Sequence, residues 1–319
     1  MKFKDMVFRK CGASGLYLPA VSLGLWQNFG SNVPFDTCRE IILKAYDIGI
    51  THFDAANNYG PEPGSAESNL GAVLRSELSA HRDQIIVSTK AGFDMWPGPY
   101  GNGGSKKYLV ASLDQSLKRL GLEYVDIFYH HIYDPDTDVS EVAHTLETVV
   151  RQGKALYAGV SNYSAQQTEQ LHAMLKSVNI PLIIHQPYYN MLDRGAEQGL
   201  LPNLAEMGMG SIAYCPLAQG ILTDKFLGGI PADSRVGRSE DLKGELTPQR
   251  VKQLNQLADL ARQRGQKLSQ LAIAYLLQRV TSVLIGVSRT EQLLENAAAV
   301  KNLEFSAAEL AEIERILQQ

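Results

Sequence analysis

The feature that most constrains this chain is a repeat. A short apolar or β-branched run, a loop and a stretch with helical spacing follow one another eight times. The eight runs lie near residues 20–25, 50–55, 85–90, 125–131, 156–161, 182–186, 210–215 and 282–287. Strands separated by helices pair in parallel, because a parallel neighbour needs a long crossover. Eight such units suit a closed (β/α)8 barrel, an α/β fold of the TIM-barrel type, and a chain of 319 residues fits it as one domain over 1–319. A doubly wound open sheet has the same periodicity. It would usually carry a GxGxxG turn after the first strand, and neither that motif nor GxxxxGK[ST] occurs.

Segments outside the repeat are also readable. Residues 7–9 and 16–18, around Gly12–Gly15, read as a β-hairpin that plugs one barrel end. Two long loops, 96–104 and 223–247, interrupt the repeat, and loops of that length usually carry function. Extra helices follow at the C-terminus, where Ser306 is placed to cap a final helix over 306–317.

The net charge of −4 argues against a general nucleic-acid partner. Cys11, Cys38 and Cys215 are widely spaced, so no structural metal site is expected and a reducing, cytoplasmic setting fits. Residues 1–10 lack the apolar core of a signal peptide, and no apolar run approaches a membrane span.

A barrel of this kind works at the C-terminal ends of its strands. Strand two ends at Asp54, with Tyr59 in the next loop. Strand three ends at Lys90 and strand four at His130-His131. Together these suggest carbonyl reduction, in which a hydride reaches the carbonyl carbon and the developing alkoxide takes a proton. A tyrosine can supply it, although its ordinary pKa is about 10. Lys90 is expected to lower that value, Asp54 to hold Lys90, and His131 to bond the substrate oxygen. Singly, the Asp reads as a turn cap and the Lys as an ion-pair partner. His130 and His131 alternate across the strand, so only one faces the interior. The combination carries the reading.

These segments resemble the aldo-keto reductase family. GITHFDAANNYG (49–60) is similar to its signature around the catalytic Asp and Tyr, STK (88–90) to its lysine strand, and LEYVDIFYHH (122–131) to its histidine strand. The resemblance assigns the catalytic set to Asp54, Tyr59, Lys90 and His131. It also implies an NADPH site. Ser161, Asn162 and Gln186 would bond the carboxamide, and Tyr214 would stack on the nicotinamide. Trp26, Pro216, Leu217, Gln219, Gly220, Leu222 and Lys225 would follow the cofactor body. Gly286 would belong to the adenosine site, where Ser288, Arg289 and Gln292 would lie against the 2′-phosphate and Glu295 and Asn296 would reach adenine.

Within the family, ANNYGP (56–61), STKAG (88–92), MWPGPYG (95–101) and LDQSLKR (113–119) resemble a bacterial group that reduces L-glyceraldehyde 3-phosphate or methylglyoxal. His130, Tyr214-Cys215 and a shorter C-terminus depart from that group. The expected pocket wall is Trp26, Tyr59, Phe93, Trp96 and His131. Lys106, Lys107 and Arg194 are candidates for a substrate phosphate, though a solvated surface charge is the simpler reading of each. The related potassium-channel β-subunits supply an alternative: an NADPH-binding, redox-sensing regulatory subunit. Those proteins typically carry Asn where His131 stands. A Schiff-base aldolase using Lys90 is a third reading. The partner expected is a small carbonyl compound, with homo-oligomers open to a barrel exterior.

Overall fold

Eight parallel strands close into a barrel in this computed structural model, which describes residues 3–230 and 236–319. Part of the predicted 223–247 loop, residues 231–235, therefore lies outside the described residues. The chain runs β1 Phe8–Lys10, β2 Tyr17–Pro19, β3 Val21–Gly24, α1 Phe35–Asp47, β4 His52–Asp54, α2 Ser65–Ser76, β5 Ile86–Ala91 and α3 Lys106–Leu120. It continues through β6 Val125–His130, α4 Val139–Arg151, β7 Ala155–Ser161, α5 Ala165–Ser177, β8 Leu182–Gln186, α6 Leu200–Glu206 and β9 Gly210–Ala213. Then come α7 Glu240–Gly244, α8 Pro248–Gln263, α9 Leu268–Leu276, β10 Ser282–Ile285, α10 Thr290–Ala297 and α11 Ala307–Leu317. The barrel order is β10-β3-β4-β5-β6-β7-β8-β9, so the predicted closed barrel is the observed one.

β6, β8 and β9 are buried on both faces, as parallel strands under a helix layer must be, and β7 is buried from Ala158 onward. Most of the helices that flank them bury one apolar stripe, while α9 is buried nearly all round. In α4, Val142, Leu146 and Val149 face inward, and the Asp138 side chain caps the start by accepting from the Ser140 backbone N–H. The final helix α11 begins in a reciprocal capping box between Ser306 and Glu309, as its sequence suggests. It is docked as well as capped. Arg264 pairs with Glu309 at 2.6 Å, donates to Asn302 O and Glu304 O, and stacks over Phe305.

The β1–β2 hairpin closes the end where the strands begin. Ala13 N–H donates to Gly208 O at 2.7 Å, and the Cys11 thiol lies 3.5 Å from Ile183 O. Gly12 has φ +56°, and a Cβ there would stand 2.1 Å from Gly208 O, so only glycine permits this seating. Above the plug, Ile127, Tyr129, Ile184, Ile212 and Leu284 fill the interior. Tyr129 fits because β7 offers Gly159 opposite it, where a Cβ would come 2.6 Å from the ring.

Polar side chains are buried both inside the barrel, as His52 is, and under the helix layer, as His130 and His185 are. His52, His130 and His185 are fully buried, and burial pushes each imidazole down to about 4. A histidine whose folded pKa lies below its unfolded value of about 6.5 stays neutral in the fold, while the unfolded chain binds the proton. Stability is therefore full above the unfolded value and falls as pH drops from about 6.5 toward 4, on the order of 1 kcal/mol per pH unit for each histidine. Denaturant unfolding at pH 7, 6 and 5 should show this decline above the range where carboxylates titrate. A flat profile would mean that the histidines are already solvated in the fold.

Candidate functional site

Register brings the site together at the C-terminal mouth. Asp54 on β4 pairs with Ser88 on β5, and Lys90 follows on the same face two residues later. The Ser88 hydroxyl donates to Asp54 Oδ1 at 2.6 Å, and Gln186 Nε2 donates to the same oxygen at 3.2 Å. Lys90 Nζ donates to Asp54 Oδ2 at 2.5 Å, to Ala55 O at 2.7 Å and to the Tyr59 hydroxyl at 3.3 Å. Lys90 and Asp54 are both buried.

Tyr59 stands in the turn after β4, where its N–H donates to Ala56 O and its carbonyl accepts from Ala66 N–H. Asn57 fastens that turn to the next strand and helix. Its backbone N–H donates to Lys90 O, and its side-chain amide donates to the Tyr108 hydroxyl and to Ser112. Tyr108 in turn donates to Phe93 O at 2.5 Å, which fixes the start of the 93–104 loop.

The two adjacent histidines part as alternation requires. His130 faces the helix layer, with Nδ1 2.5 Å from the Tyr163 hydroxyl. His131 turns to the mouth, its ring 5.8 Å from that of Tyr59 and 4.7 Å from that of Phe93. Burial, then Lys90, then His130 hold His131 well below the usual imidazole value, so it is neutral at neutral pH.

One expectation is reversed. Proximity of Lys90 alone predicts a lowered Tyr59 pKa. Burial first, and the Asp54 charge second, instead raise it well above the ordinary tyrosine value. The physical reason is that Lys90 is not a free cation. Burial lowers its own pKa, Asp54 opposes that, and the pair presents little net charge to the phenol. Tyr59 is therefore held protonated as a donor rather than poised as a phenolate. A fully engaged ammonium is also a poor nucleophile, which removes the basis for the Schiff-base reading.

The residues assigned to the carboxamide also converge. Asn162 Nδ2 donates to His131 O at 2.9 Å and to Ser161 Oγ at 3.2 Å, and the Tyr214 hydroxyl donates to Asn162 Oδ1 at 2.7 Å. Ser161 donates to Gln186 O. The backbone here is bent to face the mouth: Asn162, Cys215, Ala218 and Gln219 all have positive φ. Gly220 and Gly286 have open space where a Cβ would stand, so their backbones can be approached closely by a ligand. These observations fit a dinucleotide laid along the strand ends. Pro216 and Leu222 are buried, Leu217 and Gln219 are half-buried, and Lys225 is exposed. Asp224, beside Lys225, caps α9 through Leu268 N–H.

At the far end Arg289 occupies the position before α10 without a side-chain cap and is exposed, with the Glu291 carboxylate at 3.9 Å. Ser288 donates to Gln292 Oε1 from both N–H and hydroxyl. Glu295 is paired with Lys267 at 2.5 Å and accepts from Ser269, while Asn296 is buried. Trp26 is exposed at the mouth after β3, and Trp96 packs against Tyr108. Of the three candidates for a substrate phosphate, Arg194 is bound to Glu197 and Glu314, Lys106 donates to Thr148, and Lys107 lies over the Tyr100 ring. Among the described residues no cluster of His, Cys, Asp and Glu could hold a metal, and no helix is long and apolar enough to cross a membrane.

Ser88, Asn57 and His52 lie outside the site predicted from sequence. Ser88 is within reach of sequence reasoning, because it shares the face of Lys90 in the same strand.

Comparison with known proteins agrees with this geometry. Residues 20–318 match the model of the aldo/keto reductase family. The chain is 55% identical over 322 aligned residues to the L-glyceraldehyde 3-phosphate reductase of Escherichia coli, covering 98% of this chain and 93% of that protein. It is 36% identical to a Schizosaccharomyces pombe protein named for a voltage-gated potassium channel subunit beta, over 98% of this chain and 94% of that one. An Oryza sativa protein named for the same kind of subunit is 34% identical, with 98% and 97% covered. The barrel, the converging mouth residues and these matches together make the chain a member of the aldo/keto reductase family, and so an oxidoreductase.

Proposed function

We propose that the protein reduces small aldehydes of the L-glyceraldehyde 3-phosphate or methylglyoxal type with NADPH, using Tyr59 as general acid. The observation that carries this reading is the Lys90 ammonium donating at once to Asp54, Ala55 O and the Tyr59 hydroxyl in a buried mouth. The bound nicotinamide would supply a hydride. Ser161, Asn162 and Gln186 would hold its carboxamide, Tyr214 its ring, and residues 216–225 its pyrophosphate side.

The chain's own residues have separable tasks. Tyr59, kept protonated by burial, donates its proton to the carbonyl oxygen as negative charge develops there. Lys90 at 3.3 Å stabilises the tyrosine oxygen as that proton leaves. Asp54 keeps Lys90 charged and aimed. His131, kept neutral, offers one ring N–H to the carbonyl oxygen without bringing a second buried cation beside Lys90. Phe93, Trp96 and Trp26 offer aromatic surface at the mouth, which a bound substrate would complete to exclude water from the reacting atoms. Support for the substrate type comes from the Escherichia coli relative, whose name specifies L-glyceraldehyde 3-phosphate.

Arg289 stands exposed at the start of α10, close to Ser288 and Gln292, and this favours a 2′-phosphate and so NADPH over NADH. Cytoplasmic residence belongs to the same reading.

Tyr59→Phe should lower aldehyde-dependent NADPH oxidation by roughly 10²-fold or more, with NADPH binding, followed by fluorescence, unchanged. Normal turnover by this variant would overturn the assignment. Tight NADPH binding by the wild type without turnover of L-glyceraldehyde 3-phosphate, methylglyoxal or an aromatic aldehyde would favour a regulatory subunit instead. Arg289→Ala should raise the KM for NADPH by about tenfold, the worth of one exposed phosphate contact, while leaving the KM for NADH unchanged. Equal losses with both coenzymes would place Arg289 away from the 2′-phosphate.

A further inference from the structure

A chain of buried hydrogen bonds descends from Asp54 through the barrel interior to the plugged end. Ser88 Oγ lies 2.6 Å from Asp54 Oδ1, and His52 Nε2 lies 2.9 Å from Ser88 Oγ. His52 Nδ1 lies 3.0 Å from Ser22 Oγ, Ser22 Oγ lies 2.8 Å from Ser282 Oγ, and Ser282 Oγ lies 2.7 Å from Pro19 O. Ser22, His52, Ser88 and Ser282 are all fully buried, so bulk solvent does not reach the chain, and each contact is direct.

Both ends of this chain are pure acceptors: a carboxylate and a peptide carbonyl. The five contacts need five protons. The three hydroxyls supply one each, and a neutral imidazole supplies one, so the total is four. Burial, only partly opposed by Asp54 and reinforced by Lys90, keeps His52 neutral. One contact must therefore lack a proton, and the His52 tautomer decides which. The Asp54 carboxylate is the strongest acceptor present and draws the Ser88 hydroxyl. The Ser88 oxygen can then only accept, which requires the proton on His52 Nε2. Nδ1 in turn accepts from Ser22, and the shortage falls at Ser282, which serves either Ser22 or Pro19 O. The opposite tautomer would set a nitrogen lone pair against Ser88 and compete with Asp54 for its proton.

We propose that His52 is a positioning residue for the reaction: as the Nε2–H tautomer it commits the Ser88 hydroxyl to Asp54 and so fixes the carboxylate that aims Lys90 at Tyr59. This rests on the reductase reading for its kinetic consequence, while the tautomer itself does not. A side-chain amide at residue 52 can reproduce either ring nitrogen. His52→Gln reaches toward Ser88 as Nε2 does, and His52→Asn reaches only as far as Nδ1.

The test has two arms on the full chain. Nitrogen NMR of ¹⁵N-histidine-labelled wild type, with His52 assigned by substitution, should show Nε2 protonated and Nδ1 bare at neutral pH. A protonated Nδ1 would overturn the proposal whether or not the variants fold. In the kinetic arm, His52→Asn should lower kcat about tenfold, leave the KM for NADPH unchanged, and be substantially rescued in His52→Gln. Ser88→Ala should match His52→Asn, and the double variant should be no worse than Ser88→Ala alone. Equal loss in the Asn and Gln variants, or full activity in His52→Asn, would contradict it. Absence of turnover in the wild type would instead sink the reductase reading and leave the NMR result to judge the tautomer.

Discussion

The site depends on one buried ion pair. Asp54 and Lys90 meet at 2.5 Å with both side chains shut away from water. Removing two such charges from water is unfavourable by several kcal/mol per ion, and their mutual attraction offsets this only when the remaining donors and acceptors are also satisfied. The barrel supplies those partners from four directions. Ser88 and Gln186 donate to the carboxylate, and Ala55 O and the Tyr59 hydroxyl accept from the ammonium. The electrostatics of the mouth follow from burial and from this pair. Burial first and the Asp54 charge second keep Tyr59 a protonated donor, and burial first and Lys90 second keep His131 neutral.

A closed barrel is suited to holding such a pair because it divides rigidity from access. At the strand starts, the hairpin and Gly12 seal the interior, and the Tyr129–Gly159 fit packs it higher up, level with Lys90. At the strand ends, Tyr59, Asn162 and Tyr214 are half-buried beside the buried Asp54–Lys90 pair, within reach of whatever enters the mouth. The polar side of the interior, along β10, β3, β4 and β5, joins the two ends through Ser282, Ser22, His52 and Ser88. Ile127, Ile184, Ile212 and, from β10 itself, Leu284 provide the apolar packing.

Much of this is legible in the chain because it depends on short-range pattern. The eight strand positions follow from local apolar runs, and β8 falls at the predicted residues. The opposite facing of His130 and His131 follows from alternation alone. The catalytic candidates can be read because each sits at or just beyond a strand end. What escapes depends on register between strands or on distant partners. Nothing near Arg194 in sequence announces Glu314, which takes it out of play as a phosphate ligand. Lys267 likewise engages Glu295 from a different helix. The direction of the Tyr59 shift requires knowing how deeply the Asp54–Lys90 pair is buried, which no local pattern encodes.

The most direct test of the account is a double-mutant cycle on that pair, read by denaturant unfolding of Asp54→Asn, Lys90→Met and the combined variant. Each single change should destabilise the fold by about 3–5 kcal/mol, because it leaves one buried charge without its partner. The combined variant should lose clearly less than the sum of the two. Additive losses would contradict the claim that these residues act as one ionised unit on which the mouth is built.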